Sequence, residues 1–191
     1  MERDRLTAFT DGVLAIIVTI MVLELKPPEG ATLTDLTALW PVFLSYVLSF
    51  IYVGLYWNNH HHFFQLVKRV DGGILWANLH LLFWLSLIPF ATAWMGEHEG
   101  KPLPAALYGV SLLMPALAWY LMQRVIIHKQ GPASPLGAAL GRDLKGKLSP
   151  FIYLAGIGLS FLQPLLAYAL YAGAALVWLV PDRRVEHQLQ G

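Results

Sequence analysis

Long apolar runs alternate with short polar segments along the chain. A helix needs about 20 apolar residues to cross a hydrocarbon core about 30 Å thick, and six runs reach or approach that length. They cover about residues 6–25, 38–58, 73–95, 104–126, 148–163 and 165–181. The pattern predicts an all-α integral membrane protein with six transmembrane helices. These helices form one domain over residues 1–185, followed by a short tail at 186–191.

The last two runs are short and meet at Gln163–Pro164. Proline suits the first turn of a helix but cannot continue one, so these runs predict a tight helical hairpin. One long helix through Pro164 is the alternative. The basic segment of about residues 127–147 is expected to be a connector, with a short interfacial helix around Ala138–Leu144.

Composition agrees with a membrane location. The chain of 191 residues is 57% hydrophobic and 13% charged, whereas soluble domains carry about 25% charged residues. The formal net charge is +1, so no strongly basic or acidic surface indicates nucleic acid as a partner. The absence of cysteine removes disulfides, cysteine metal sites and thiol catalysis. No small-x-small cleavage site follows the first run, so we expect no cleavable signal peptide.

The distribution of lysine and arginine predicts the orientation, because cytoplasmic loops are enriched in both. With the amino terminus inside, the outer side carries only Lys26 and Lys101 of the 13 basic residues. The other 11 lie inside: Arg3, Arg5, Lys68, Arg69, Arg124, Lys129, Arg142, Lys145, Lys147, Arg183 and Arg184. This asymmetry requires an even number of spans and predicts that both termini are cytoplasmic.

Several polar residues fall at nearly one depth near the basic end of the first three spans. They are Arg5, Asp11, His60, His61, Asn78 and His80. Polar groups in a membrane span need partners or a function. Three interpretations are open: a hydrogen-bonded clamp between helices, a proton relay, or a metal site. In the clamp, His60 pairs with Asp11 and Asn78 bridges them.

Metal binding and catalysis are the less favoured interpretations. Successive histidines at 60–62 point about 100° apart on a helix, so they cannot all face one metal ion. The histidine run lacks the further histidine boxes of membrane di-iron enzymes, and no Ser–His or paired-carboxylate arrangement stands out. We therefore expect neither an enzyme nor a resident metal or cofactor.

The first span carries one stripe of branched apolar residues with a single hydroxyl. At 100° per residue, Thr19, Ile20 and Leu23 fall within about 60° of Ile16. Gly12 lies at the edge of this stripe, and Asp11 falls near −140°, towards neighbouring helices in this interpretation. The stripe either faces lipid or other helices, or meets copies from other subunits to form a dewetting constriction.

The segment Arg5-Leu-Thr-Ala-Phe9-Thr10-Asp11-Gly12 resembles the R-x-x-x-F-S-D-G signature of the transmembrane protein 175 family. That family comprises endosomal and lysosomal potassium channels of animals and their bacterial relatives. The first helix that follows at 13–25, the Tyr56–His61 segment and the Asn78–Phe90 stretch of the third helix are also similar to the family. The chain departs from the signature at Thr10, where serine is usual and a hydroxyl is retained.

This resemblance implies a homotetramer in the bacterial plasma membrane, with four first helices around a pore and contacts to membrane lipids. It implies selection of potassium over sodium without a T-V-G-Y-G filter, by rings of Ile16, Thr19, Ile20 and Leu23. The permeant ions would be monovalent cations. The residues Arg5, Phe9, Thr10, Asp11, Gly12, Trp57, His60, His61 and Asn78 are expected to form the signature and the helix clamp.

Two alternatives to a potassium channel stay open. One is a proton-conducting or proton-coupled transporter that uses Asp11, His60, His61 and His80. The other is a structural membrane protein or accessory subunit without ion flux.

Overall fold

The computed structural model describes residues 2–67, 69–131, 136 and 144–179, and every regular element in these ranges is helical. In chain order the helices are α1 (Arg3–Leu23), α2 (Leu33–Ala38), α3 (Trp40–Gln65), α4 (Gly72–Leu85), α5 (Ile88–Glu97), α6 (Pro102–Gln130), α7 (Leu144–Ser160) and α8 (Pro164–Leu179). The predicted all-α class is confirmed for the described residues.

Helix α1 buries one side and exposes the other. Its buried residues recur every three or four positions: Leu6, Thr10, Leu14, Ile17 and Met21. This spacing places them on one face of an α-helix. That face packs against α3, α4 and α5.

The second predicted span differs from the structure at both ends. A separate short helix, α2, precedes it and begins with a capping box in which Thr32 and Asp35 bond to each other's backbone. Helix α3 then continues past the predicted end at 58 to Gln65. The helix continues beyond the apolar run because its polar residues, such as His60, find side-chain partners inside the bundle.

The third predicted span, 73–95, is divided into α4 and α5 by a break at Ser86 and Leu87. Pro89 lies at the start of α5 and has no N–H to donate to the carbonyl of Leu85. The helical hydrogen-bond ladder is therefore interrupted at this point. The segment Gly72–Glu97 as a whole still has the length and hydropathy of a membrane span.

The last two runs form separate helices, as the proline at 164 predicts. Helix α7 ends at Ser160, α8 begins at Pro164, and the two pack against each other. The alternative of one helix through Pro164 is therefore wrong. The suggested interfacial helix at 138–144 lies outside the described residues except for its last position, and the tail at 186–191 lies wholly outside them.

Four described segments are long and apolar enough to cross a membrane: Arg3–Leu23, Trp40–Gln65, Gly72–Glu97 and Pro102–Gln130. Helices α7 and α8 are shorter, with 17 and 16 residues. Helix α6 is central to the bundle and contacts α4, α5, α7 and α8.

Candidate functional site

The stripe on α1 lies on the exposed face of the subunit. Ile16 is 61% exposed and Leu23 is 73% exposed, whereas Ile17 between them is only 2% exposed. Ile20 and Thr19 are exposed on the same side. An apolar face of this size in a single subunit contacts either lipid or another copy of the chain.

The exposed face is wider than the stripe alone. Taking Ile16 as 0° and 100° per residue, exposed positions extend from Ile20 near +40° to Asp11 near −140°. The flank beyond the stripe includes the small residues Ala8 and Ala15, and Gly12 lies between flank and stripe, where an added Cβ would meet no atom within 4 Å. Small residues allow close approach of a second helix in a membrane. About half of the circumference of α1 is thus available for contacts outside the subunit.

Thr19 presents oxygen lone pairs on this face. Its hydroxyl donates a hydrogen bond of 2.8 Å to the carbonyl of Ala15, one turn earlier in α1. Because the proton is bound to the helix backbone, the exposed side of Oγ1 acts as an acceptor. Such an oxygen is a suitable ligand for a cation that has lost part of its water.

A buried chain of hydrogen bonds joins α1, α3 and α4 behind the exposed face. Asn78 donates from Nδ2 to Thr10 Oγ1 at 3.0 Å, and its oxygen lies 2.9 Å from His60 Nε2. These three residues are each at most 2% exposed. An amide oxygen only accepts, so His60 carries its proton on Nε2. The His60 ring also stacks on Phe64 at 4.3 Å between ring centroids.

Asp11 has a different partner from the predicted one. Trp57 donates its indole N–H to Asp11 Oδ1 at 3.0 Å, and both residues are exposed in the single subunit. The predicted pairing of Asp11 with His60 through Asn78 is therefore wrong. Neighbouring residues on a helix point about 100° apart, so Thr10 faces the bundle while Asp11 faces its edge.

Thr10 was expected among the signature and clamp residues, but its pairing with Asn78 was not predicted. The sequence does carry a signal for it, since Thr10 falls on the same helical face as the apolar residues Leu14 and Ile17. A hydroxyl on a buried face needs a partner, and Asn78 is the polar residue of α4 that reaches it.

The remaining polar candidates do not meet in one cluster. His61 is exposed and bonds to Gln65 at 3.0 Å, and His80 is exposed and accepts from the Trp84 indole at 2.9 Å. Arg5 is exposed and makes no hydrogen bond or ion pair with the described ranges, and Phe9 is 55% exposed. The described residues contain no group of three or more histidines and carboxylates arranged to hold a metal ion.

Comparisons with known proteins agree on one family. The family model described as "Endosomal/lysosomal potassium channel TMEM175" matches residues 5–89. A protein of Chryseobacterium sp. (strain P1-3) that is named as a potassium channel is 53% identical over 190 residues, which cover 100% of this chain and 99% of that protein.

A solved structure and a human relative are also similar to this chain. The crystal structure of a lysosomal potassium-selective channel TMEM175 homolog from Chamaesiphon minutus superposes with a TM-score of 0.82 at 27% identity, over 94% of this chain and 97% of that chain. The human protein named "Endosomal/lysosomal proton channel TMEM175" is 31% identical over 103 residues, covering 48% of this chain and 20% of that protein.

Proposed function

Because this chain belongs to the TMEM175 family of ion channels, we propose that it is a potassium channel that favours potassium over sodium. The observation that carries the proposal is the exposed face of α1, on which the apolar residues Ile16, Ile20 and Leu23 accompany the hydroxyl of Thr19. Apolar rings with a single oxygen layer suit a pore that an ion crosses with only part of its water.

In this proposal four copies assemble around one axis with the stripes of α1 inward. Closed point-group symmetry is usual for homo-oligomers, and a cyclic arrangement is its simplest form. The wide exposed face of α1 supports this assembly. The stripe occupies the part that faces the axis, and the small residues Ala8 and Ala15 remain to contact the next subunit. The Asp11–Trp57 contact then lies beside this interface.

Ile16 forms the narrowest ring in the proposed pore. Four branched side chains oppose a fully hydrated ion when the ring is narrow and admit a partly dehydrated ion when it widens. Potassium gives up water at a lower free-energy cost than sodium, so such a ring favours potassium without a tight cage of ligands. The Thr19 oxygens lie one turn away and offset part of the dehydration cost.

The remaining parts of the proposal concern topology and partners. Six spans, both termini in the cytoplasm and a bacterial plasma membrane fit the asymmetry of basic residues and the bacterial relatives. The permeant ions are monovalent cations, with potassium as the main one, and the assembly contacts membrane lipids. Enzyme activity and a resident cofactor have no part in this function.

Recording from the purified protein in a planar bilayer, with potassium on one side and sodium on the other, tests this function. We expect a reversal potential displaced towards the equilibrium potential of potassium. A reversal potential near zero would exclude a channel that selects potassium over sodium. The absence of any current in repeated incorporations would favour a structural protein without ion flux.

The second candidate is proton conduction, which the name of the human relative favours. The structure divides Asp11, His60, His61 and His80 among four separate hydrogen-bond partners, so a relay through all four lacks continuity. A pH gradient imposed across the same bilayer distinguishes the candidates. A reversal potential that follows the proton gradient rather than the potassium gradient would favour the second.

A further inference from the structure

A second candidate site lies among α3, α6, α7 and α8, and no residue of α1 lines it. It is a cavity of about 40 Å³. Its walls are mainly aromatic, with a few amide and hydroxyl groups: Tyr52, Tyr56, Asn59, Trp119, Tyr120, Gln123, Ser149, Tyr153 and Trp178. Clefts with apolar walls and a few convergent polar groups are typical ligand sites.

Gln123 is the polar group that points to a ligand. Its side chain is on the cavity wall and the residue is only 8% exposed, yet its amide has no hydrogen-bond partner within the described ranges. Asn59 of α3 also lies on the cavity wall. It is half-buried, and its amide likewise makes no hydrogen bond within the described ranges. By contrast, Trp178 donates to Ser149 Oγ at 2.7 Å. Both amides line the cavity, so their N–H groups can donate hydrogen bonds to a ligand with acceptor oxygens.

The charge around the cavity is of one sign. The four helices that line it contain no aspartate or glutamate, and their basic residues gather at the end where Gln123 lies. Arg124 donates to the Tyr120 hydroxyl at 2.8 Å, with its guanidinium 5.0 Å from the ring centroid. Lys145 donates to the carbonyl of Val177 at 3.1 Å. Arg124 thus contacts a residue of the cavity wall, and Lys145 contacts the neighbour of the wall residue Trp178. With these two cations the rim of the cavity attracts an anion.

The surroundings of the rim are apolar. Leu121, Leu148 and Val177 are each nearly half exposed on the outside of the bundle next to the cavity residues. The cavity admits only a few atoms, because one water already needs about 10–15 Å³. The ligand that fits has an anionic group for the rim, ester oxygens for the amides and acyl chains for the apolar surface.

We propose that this cavity binds an anionic phospholipid from the leaflet at the basic end of the bundle. A glycerol ester carbonyl enters the cavity and accepts hydrogen bonds from Gln123 and Asn59. The phosphate remains at the rim between Arg124 and Lys145, and the acyl chains follow the apolar outer surface. Basic pockets between membrane helices bind phospholipid head groups by the same combination of charge and apolar contact.

Native mass spectrometry of the purified protein tests this assignment. The protein is equilibrated with an equimolar mixture of phosphatidylglycerol and phosphatidylcholine, and the retained lipids are counted. We expect phosphatidylglycerol to be preferred. Arg124→Gln should reduce that preference about fivefold, the value of roughly 1 kcal/mol per basic residue near a membrane surface. Arg69→Gln removes a cation at the same end away from the cavity and should leave it unchanged.

Two variants test the cavity itself. Gln123→Leu should lower retention of both lipids while the preference between them stays, because both carry the same esters. Ala116→Phe fills the cavity from a wall residue and should do the same, which keeps the test valid if one variant fails to fold. Gln65→Leu removes an amide outside the cavity and is the matched control.

Several results would overturn the proposal. Equal retention of the two lipids by the unmodified protein would exclude recognition of the anion. Unchanged retention in both Gln123→Leu and Ala116→Phe would place the lipid elsewhere. Displacement of phosphatidylglycerol by inorganic phosphate alone would mean that the rim binds a free anion and not a lipid.

Discussion

Asn78 of α4 donates a hydrogen bond of 3.0 Å to Thr10 of α1, and both side chains are almost completely buried. The bond joins the helix with the exposed stripe to the rest of the bundle. Because Thr10 and the stripe residues lie on the same rigid helix, this bond fixes the direction in which Ile16 and Thr19 face.

Thr10→Val should destabilise the protein while preserving the shape of the side chain. The substitution leaves the Asn78 N–H buried without an acceptor, which costs about 1–3 kcal/mol. Thermal unfolding of the purified protein in detergent measures the effect. Thr7→Val is the control, because the Thr7 hydroxyl bonds only to backbone carbonyls of its own helix. Equal unfolding temperatures for the two variants would contradict the role of the buried bond.

Ile16→Ala should raise single-channel conductance and lower discrimination against sodium. The substitution truncates one branched side chain in each of four subunits, so the proposed constriction becomes wider. Ile17→Ala is the control on the opposite side of α1. Ile17 is buried, so its truncation should lower stability by about 2 kcal/mol or more and change flux little. If Ile17→Ala alone raised conductance, the pore would have to lie on the other face of α1.

Thr19→Val should reduce potassium conductance and selectivity, because it removes the four oxygens that offset dehydration. Thr19→Ser retains the hydroxyl and should conduct potassium with near-normal selectivity. Bi-ionic reversal potentials of the two variants provide the measurement. Selectivity that is the same in both would assign discrimination to the apolar rings alone.

The predicted orientation can be checked by thiol labelling, since the chain has no cysteine. His98 lies in the turn between α5 and α6, and His128 is exposed at the basic end of α6. A membrane-impermeant thiol reagent should label His98→Cys in intact cells and His128→Cys only after lysis. A reporter fused after Gly191 should be cytoplasmic. The reverse labelling pattern would invert the topology.

Acid should weaken the link between α4 and α6. The ammonium of Lys129 and the N–H of Ile74 hold the pKa of Asp71 below its ordinary value of 3.8. A lowered folded pKa stabilises the protein above the unfolded value, and this contribution is lost as the pH falls through the folded pKa. Thermal unfolding midpoints should therefore decrease in this acid range.

Asp71→Asn removes the ion pair but keeps the helix cap, because asparagine still caps the start of α4. The variant therefore measures the contribution of the ion pair alone. Its unfolding midpoint should depend less on pH below 3.8 than that of the unmodified protein. Lys129→Gln should reduce the pH dependence in the same direction but by less, because the bond from the Ile74 N–H remains, and the double variant should match Asp71→Asn. Additive effects would show that the two residues act separately.

Local sequence patterns located the main apolar helices and the phase of α1, but they did not predict the short helix α2 or the break between α4 and α5. Apolar runs of membrane length predict where the helices lie, and Pro164 predicts the break between α7 and α8. A period of 3.6 residues distinguishes Ile16 from Ile17 without further information, because one helix cannot place both on the same face.

The partners of the polar residues required the tertiary structure. The sequence shows that Asp11, His60 and Asn78 lie at a similar depth, but depth leaves the rotation of each helix open. A rotation of about 100° exchanges Thr10 for Asp11 as the residue that faces Asn78. The cavity at Gln123 likewise depends on three-dimensional packing, because its walls come from four helices and its lining residues range from Tyr52 to Trp178. The sequence determines which faces each helix has, and only the packing of the helices decides which of those faces meet.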